Sequence, residues 1–395
     1  MKKKFRIHFV ITGLGTGGAE MMLYKFLAGI NRQLFDLKVV SLLDIAPLQH
    51  KFEGIDVPVE ILHMPRGVPD PRALFRLVRL FRKDKPDVVQ TWMYHADLLG
   101  GLAAKLAGNI PVVWNIRHSD LNPRLDKKTT IFTARACAGI SRFLPYKIIS
   151  CAEAAKDAHV SIGYDARKMM VIPNGFDLSL FRPDSSAREK IRNELSLPAG
   201  SLIIGLVARF HPHKDHKSFF EGAELLKRRM DNIHFLLCGL GITSENEDIS
   251  MLLRGKNLDE SMHLLGPRTD IPTITAALDI ATSTSCTEAF SNTIGEAMAC
   301  GVPAVVTDVG DSSLIVGKTG KVVSPGKPEE LCQAWQEMID LGRDGRAKLG
   351  EFARERIQSL FSLEAIVKKY EKVYLDVLTA KQRPVGACTK AEDHD

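Results

Sequence analysis

Short runs of β-branched residues alternate with longer amphipathic or alanine-rich stretches along nearly the whole chain. In the first half the runs are FRIHFVIT, LKVVSL, DVVQTW, PVVWNIRH, KIISCA and MMVIP. Such alternation predicts βαβ units and mainly parallel sheets. The pattern pauses between Asn174 and Gly200, where IPNGFDLSLFRPD carries an Asn-Gly turn signal and a proline ahead of a short charged helix. It restarts with LIIGLVAR, IHFLLCG, MHLLG, DIATSTS, PAVVTDVG and GKVVSP. The expected fold is therefore α/β, with two Rossmann-like doubly wound domains joined near Pro173 to Ser201. Expected limits are 1–180 and 181–380, followed by a flexible tail at 381–395 whose sequence lacks an apolar period.

With 395 residues, 45% of them hydrophobic and 25% charged, the chain can bury two ordinary cores. A formal charge of +6, spread along the chain, argues for no nucleic-acid partner. Cys137, Cys151, Cys238, Cys286, Cys300, Cys332 and Cys388 form no C-x-x-C pair, the usage of a reducing compartment. The start, MKKKFRIHFVITGLGTGG, is basic like a secretory signal, but Arg6 and His8 interrupt its apolar part, so it reads as a first strand. No apolar run approaches the roughly 18 residues of a spanning helix. A cytoplasmic protein is expected, with any membrane contact peripheral.

Two parallel-sheet domains that face each other make a cleft lined by the loops at the carboxyl ends of their strands, and ligands are expected there. The first such loop, Gly13-Leu14-Gly15-Thr16-Gly17-Gly18-Ala19-Glu20, satisfies G-x-G-x-x-G. Two readings stand open: a cradle for a dinucleotide pyrophosphate at a helix N-terminus, with Asp44 a distant candidate for the ribose acid, or a tight turn that lets helix and strand approach.

In the second half, the loop after LIIGLVAR carries Arg209 and Lys214, two cations able to face one diphosphate. An arginine grips phosphate oxygens bidentately and a lysine acts as a point charge. Solvated surface charge is the competing reading. His211, His213 and His216 lack the carboxylate or cysteine pattern of a metal site and read as solvent-facing loop histidines. Further on, DIATSTSCTEAFSNTIGEAMACGVPAVVTDVG reads as a strand, a polar loop and a helix capped by Ser291 or Asn292. Glu288 falls in the loop and Glu296 just inside the helix. The amides of Phe290, Ser291, Asn292, Thr293 and Ile294 would be free donors at a positive helix end, suited to phosphate or sugar oxygens. A carboxylate accepts two hydroxyls at once, which suits a ribose or a hexose. Either glutamate alone also reads as ordinary surface charge.

Taken together, GTGGAE at Gly15 to Glu20, His118 in WNIRHSD, VIPNGFD at Val171 to Asp177, Arg209 with Lys214, the E-x7-E pair Glu288 and Glu296, and the following GEAMACGVPAVVTDVG resemble the family 4 retaining glycosyltransferases of GT-B type. The resemblance spans nearly the full length. It implies an acceptor-side first domain, a nucleotide-sugar-binding second domain and a last helix that packs back on the first. It implies Glu296 on the ribose hydroxyls, Glu288 near the transferred sugar, and Arg209 with Lys214 on the diphosphate. The glycine loop, with Gly15, Gly17 and Gly18, then becomes an acceptor-side, phosphate-facing element, and a nicotinamide cofactor is no longer expected. Where many relatives carry a proline after the aromatic residue, this chain has Ser291, which alters the stiffness of the loop.

The resemblance further implies retention at the transferred sugar, a UDP-linked donor, and a hydroxyl acceptor of polysaccharide, lipopolysaccharide or glycolipid type. His118 would contact the transferred sugar or the reacting centre, in a neighbourhood made polar by Arg117, Ser119 and Asp120; a satisfied core histidine is the competing reading. No cofactor and no metal are expected, because the single D-x-D string, Asp393 to Asp395, sits in the tail. Between Pro71 and Lys85, Leu74, Leu77, Val78 and Phe81 share one helical face, and Arg72, Arg76, Arg79, Arg82, Lys83 and Lys85 crowd the rest. That helix reads either as a core-packed helix with a solvated face or as a patch for anionic lipid headgroups serving a lipid-linked acceptor. A GT-B sugar-nucleotide epimerase and a catalytically silent sugar-nucleotide-binding protein are the alternative functions.

Overall fold

The computed structural model describes residues 4–65, 71–119, 121, 127–198 and 200–382. Asp120, Cys388, the Asp393 to Asp395 string and all but the first two residues of the expected tail lie outside this set.

Strands β1 (Phe5–Ile11), β2 (Phe35–Leu43), β3 (Val59–Met64), β4 (Val88–Trp92), β5 (Val112–Ile116), β6 (Lys147–Ser150) and β7 (Met169–Val171) form one sheet in the order β3-β2-β1-β4-β5-β6-β7. Strands β8 (Leu202–Val207), β9 (Ile233–Cys238), β10 (Met262–Leu264), β11 (Ile280–Ser283), β12 (Ala304–Thr307) and β13 (Gly320–Val323) form the other, ordered β10-β9-β8-β11-β12-β13. Every neighbouring pair is parallel. Each apolar run named from the sequence is one of these strands, and the architecture is the α/β pair of Rossmann-like units expected. The extra strand is β3, VEILHM. It lies at the sheet edge, and its polar residues pair with polar neighbours, Glu60 with Lys38 and His63 with Asp44. The polar residues broke up the apolar signal that marked the others.

The first sheet is covered on one face by helices Pro71–Asp84, Tyr94–Leu106 and Lys128–Ile140, which share a core with Val10, Val89 and Trp114. The other face packs against helix Gly18–Gly29 and the last helix, Leu363–Gln382. Along that last helix Ile366, Tyr370, Val373, Tyr374 and Val377 recur at helical spacing and are buried in the first core. The Tyr370 ring lies 4.7 Å from that of Phe26, and the Tyr374 hydroxyl donates to the buried Gln90 amide oxygen.

The chain thus crosses between the two sheets twice, and the crossings are tied together. The Phe176 amide donates to the Phe361 carbonyl and the Leu363 amide to the Phe176 carbonyl, each at 2.9 Å. From this point the Phe176 side chain reaches into the second unit, where its ring stacks 6.1 Å from that of Phe290. A β-carbon on Gly295 would lie 2.0 Å from the Phe176 ring, so only glycine fits there. The segment that joins the domains therefore packs directly on the helix that carries Glu296.

Candidate active site

The loops at the carboxyl ends of β1, β5, β8, β11 and β12 meet between the two sheets. Those after β8 and β11 are zippered: the Thr284 hydroxyl donates to the Lys214 carbonyl at 2.8 Å and the Cys286 amide to the His213 carbonyl at 2.9 Å. Residues Pro212–Lys214 form a single tight turn, closed by Asp215 in the left-handed region at φ 45°. Asp215 also starts the next helix by accepting from the Ser218 amide at 3.2 Å. The result points Lys214 Nζ at Glu288 Oε1 in an ion pair, and the Ser285 hydroxyl donates to the same oxygen at 2.9 Å.

From below, the Glu288 loop rests on the turn after β12. The Asp311 amide donates to the Ala289 carbonyl at 3.0 Å, and Gly310, at φ 55°, lies so close that an added β-carbon would be 2.1 Å from the Glu288 carbonyl oxygen. Glycine is required there on both counts. The Asp311 carboxylate in turn accepts from the amides of Glu153 and Ala154, at 2.8 and 3.0 Å, capping a first-domain helix from the second domain.

Helix Asn292–Ala299 begins at Ser291, whose side chain makes no capping bond, so its hydroxyl leaves the first amides of the helix uncapped. Phe290 and Ile294 are 5% and 1% exposed, which leaves them only backbone groups to offer a ligand. Glu296, within this helix, pairs with Lys25 of helix Gly18–Gly29 at 2.8 Å.

Across the cleft, the glycine loop meets the same helix: a β-carbon on Gly18 would stand 3.1 Å from Asn292 Nδ2. Glu20 folds back beneath this loop, its Oε2 2.5 Å from where a Gly17 β-carbon would be, and Gly15 has the other carboxylate oxygen as neighbour. Burial raises the Glu20 carboxyl above its ordinary value, opposed by its own backbone amide and by the charges of Arg209 and Arg117. His118 sets its ring edge-on to Tyr94, centroids 6.0 Å apart. Ser119 and Thr287 share a hydroxyl hydrogen bond of 3.0 Å between the domains.

Asp44, weighed for a dinucleotide ribose, pairs instead with His63 at an exposed edge. His216, in contrast, is 2% exposed with both ring nitrogens unpartnered, and burial lowers its pKa to about 4. Among the described residues no cluster of three or more His, Cys, Asp or Glu could hold a metal.

Several residues at this site went unassigned in the sequence. Arg117 stacks 4.4 Å over Trp92 and donates to Asn174 Oδ1 at 2.7 Å, and Asn174 donates to Asn292 Oδ1 at 2.6 Å. A chain of bonds thus runs from the loop of His118 through the joining segment to the start of the Glu296 helix. Asn174 showed as a turn signal and as part of VIPNGFD, and nothing in the sequence singled out Lys25.

Two facing Rossmann-like domains, with cations, paired glutamates and uncapped amides on one wall and a glycine loop on the other, define the class of GT-B glycosyltransferases. The chain belongs to glycosyltransferase family 4. The family model described as Glycosyltransferase Family 4 matches residues 16–180, and that described as Glycosyl transferases group 1 matches 201–340. The UDP-Gal:alpha-D-GlcNAc-diphosphoundecaprenol alpha-1,3-galactosyltransferase of Escherichia coli is 25% identical over 320 residues, 80% of this chain and 81% of that protein. The capsular polysaccharide biosynthesis glycosyltransferase CapM of Staphylococcus aureus is 23% identical over 77% of this chain and 80% of its own. Anabaena Alr3699/HepE, solved in complex with UDP, shares the fold at a TM-score of 0.83 and 22% identity, over 94% of this chain and 100% of that one.

Proposed function

We propose that this glycosyltransferase moves a hexose, with retention, from a UDP-linked donor to a hydroxyl on a lipid-linked acceptor, without a metal ion. The observation that carries the reading is the Lys214–Glu288 pair beside the uncapped start of helix Asn292–Ala299. It brings a cation and a carboxylate just ahead of a helix start whose N-cap side chain makes no bond, the groups a sugar diphosphate needs. Relatives whose names specify a UDP-galactose donor with a diphosphoundecaprenol acceptor, and capsule synthesis, support the donor and acceptor classes. So does HepE, solved with UDP-glucose.

In this reading Glu296 takes the ribose hydroxyls, the helix amides and Arg209 with Lys214 take the diphosphate, and Glu288 faces the sugar. The first domain is the acceptor side, presenting the glycine loop and His118. The acceptor oxygen bonds to the anomeric carbon on the face from which the diphosphate departs. The bond from that carbon to the diphosphate breaks, and the acceptor proton passes to the freed phosphate oxygen. The protein supplies position and charge.

Helix Pro71–Asp84 serves as the contact with an anionic membrane face on the cytoplasmic side. Its Phe75 is 71% exposed, and Arg72, Arg79, Arg82 and Lys83 are exposed on the same helix. Two of its arginines also serve the fold, Arg76 on the Leu62 carbonyl and Arg82 on the Leu106 carbonyl. Cosedimentation should rise with the anionic lipid content of vesicles and fall for Phe75→Ser; indifference to both removes this contact.

A thermal-shift panel of nucleotide sugars, followed by mass spectrometry with lipid-linked acceptors, tests the whole reading. A stabilising UDP-sugar and a glycosylated acceptor are expected, with full activity in excess chelator. Conversion of donor alone to an isomeric sugar nucleotide would make the protein an epimerase, and donor binding with no product would make it a silent binder.

A further inference from the structure

Lys25 belongs to the first domain, yet its ammonium group lies among residues of the joining segment and the second. Its Nζ is 2.8 Å from Glu296 Oε1, with the two side chains 18% and 12% exposed. The same Nζ lies 5.4 Å over the ring of Phe181. Asp177, whose carboxyl burial would raise, is held below its ordinary value by the Ser179 and Leu180 hydrogen bonds and by the charge of Lys25. Arg354 donates to the Phe181 carbonyl at 3.1 Å and also to the Ala299 carbonyl at the end of the Glu296 helix, which fixes the ring against that helix. One carboxylate and an aromatic face thus hold this cation, and the cation comes from the opposite side of the cleft.

The partner of this lysine is the carboxylate assigned to the ribose, and the pairing uses one oxygen. Lys25 on Oε1 leaves Oε2 as the acceptor for a ribose hydroxyl. A glutamate carboxylate at the end of three rotatable bonds would otherwise lose rotamer freedom when the nucleotide binds; a lysine already in place removes that cost.

We propose that Lys25 is a positioning residue for the donor: it holds Glu296 so that Oε2 meets the ribose, and it thereby ties grip on the nucleotide to closure of the two domains. The inference rests on the reading of Glu296 given under Proposed function. Because the tie runs between domains, a donor would be held most firmly when the acceptor side is in place, and product release would accompany separation of Lys25 from Glu296.

The test is calorimetric titration of the full chain with UDP, with GDP in parallel, and with 2′,3′-dideoxy-UDP, which offers Glu296 no hydroxyl. Lys25→Met is expected to weaken UDP binding by about tenfold, the size of one charge-assisted bond. Lys25→Arg should restore it to within about threefold, and the dideoxy nucleotide should bind both variants as it binds the unaltered protein. Glu296→Gln should weaken UDP at least as much, and the double variant should be no worse than Glu296→Gln alone. Unchanged UDP affinity in Lys25→Met, with a loss in Glu296→Gln, overturns the inference and leaves the ribose reading standing. Equal losses for UDP and its dideoxy analogue make Lys25 a purely structural tie and overturn it as well. Unchanged affinity in Glu296→Gln, or no binding of either nucleotide to the unaltered protein, overturns the ribose reading and the inference with it.

Discussion

Glu288 is held by partners from its own domain, the Lys214 ammonium and the Ser285 hydroxyl, with Gly310 close beneath its carbonyl. Glu296, about one turn into helix Asn292–Ala299, has its ion pair with Lys25 of the other domain. On the proposed reading, the sugar end of the site is held through Glu288 by partners of the second domain, while the nucleoside end is completed at Glu296 only when the domains meet. Catalysis through fixed charge favours the first arrangement, because a group already in place needs no reorganisation in the transition state. Binding and release favour the second, since a contact shared between domains can be made and broken by their motion.

The largest expected effect lies at the preorganised end. On the proposed reading, Lys214→Ala removes a cation from the diphosphate as it strips Glu288 of its ion-pair partner, and Arg209→Ala removes the second cation. Each should lower kcat by about a hundredfold or more, the cost of one preorganised group facing developing charge. Near-normal turnover in both variants would break the contrast at its stronger side. Gly310→Ala tests the support beneath. Its φ of 55° and the 2.1 Å approach to the Glu288 carbonyl force the loop to move. A loss of about 2 to 3 kcal/mol in denaturant unfolding is expected, with turnover falling further than stability explains.

How much of this was legible follows the same division. The strands announced themselves because buried parallel strands are continuous apolar runs. Only β3, an edge strand paired through Glu60 and His63, lacked that mark. The elements of the second-domain wall lie in two short segments whose spacing survives in the sequence, so Arg209, Lys214, Glu288 and Glu296 could be picked out together. The interdomain ties could not. Lys25 and Glu296 are separated by 271 positions, and Asn174 with Asn292 by 118, distances over which no local periodicity carries information. Arg117 looked like one polar neighbour of His118, and its stacking on Trp92 exists only once β4 and β5 lie side by side.

A smaller effect should come from the histidine beneath the Lys214 turn. His216 is buried with its ring 5.2 Å from that of Phe210, and burial together with the Lys214 charge lowers its pKa from 6.5 to about 4, against the opposing pull of Asp215. Above pH 6.5 it is neutral whether the chain is folded or not. As pH falls from there through 4, the unfolded chain takes up a proton that the folded one resists, so stability is lost across that window. The loss attributable to this group at pH 5 is about 2 kcal/mol. His216→Phe fills the same apolar space, strands no hydrogen-bond partner, and should flatten the dependence. An unchanged slope would mean that the Lys214 turn opens to admit the proton.

The smallest expected effect belongs to a further interdomain contact. Asp311, 5% exposed, caps the first-domain helix Glu153–Ser161 through the amides of Glu153 and Ala154. Helix caps of this kind contribute about 1 kcal/mol, so Asp311→Ala should shift thermal unfolding by only a few degrees. Asp311→Asn, whose single amide oxygen can accept from only one of the two amides, should recover at most part of that shift. The informative reading is donor affinity. If closure completes the nucleoside end of the site, loosening the domains at Asp311 should weaken UDP binding severalfold even though Asp311 lies on neither glutamate. It should do so without further loss in a chain already carrying Lys25→Met. Additive losses would mean that the two ties act on separate motions, and the nucleoside end would then owe its order to Lys25 locally rather than to closure.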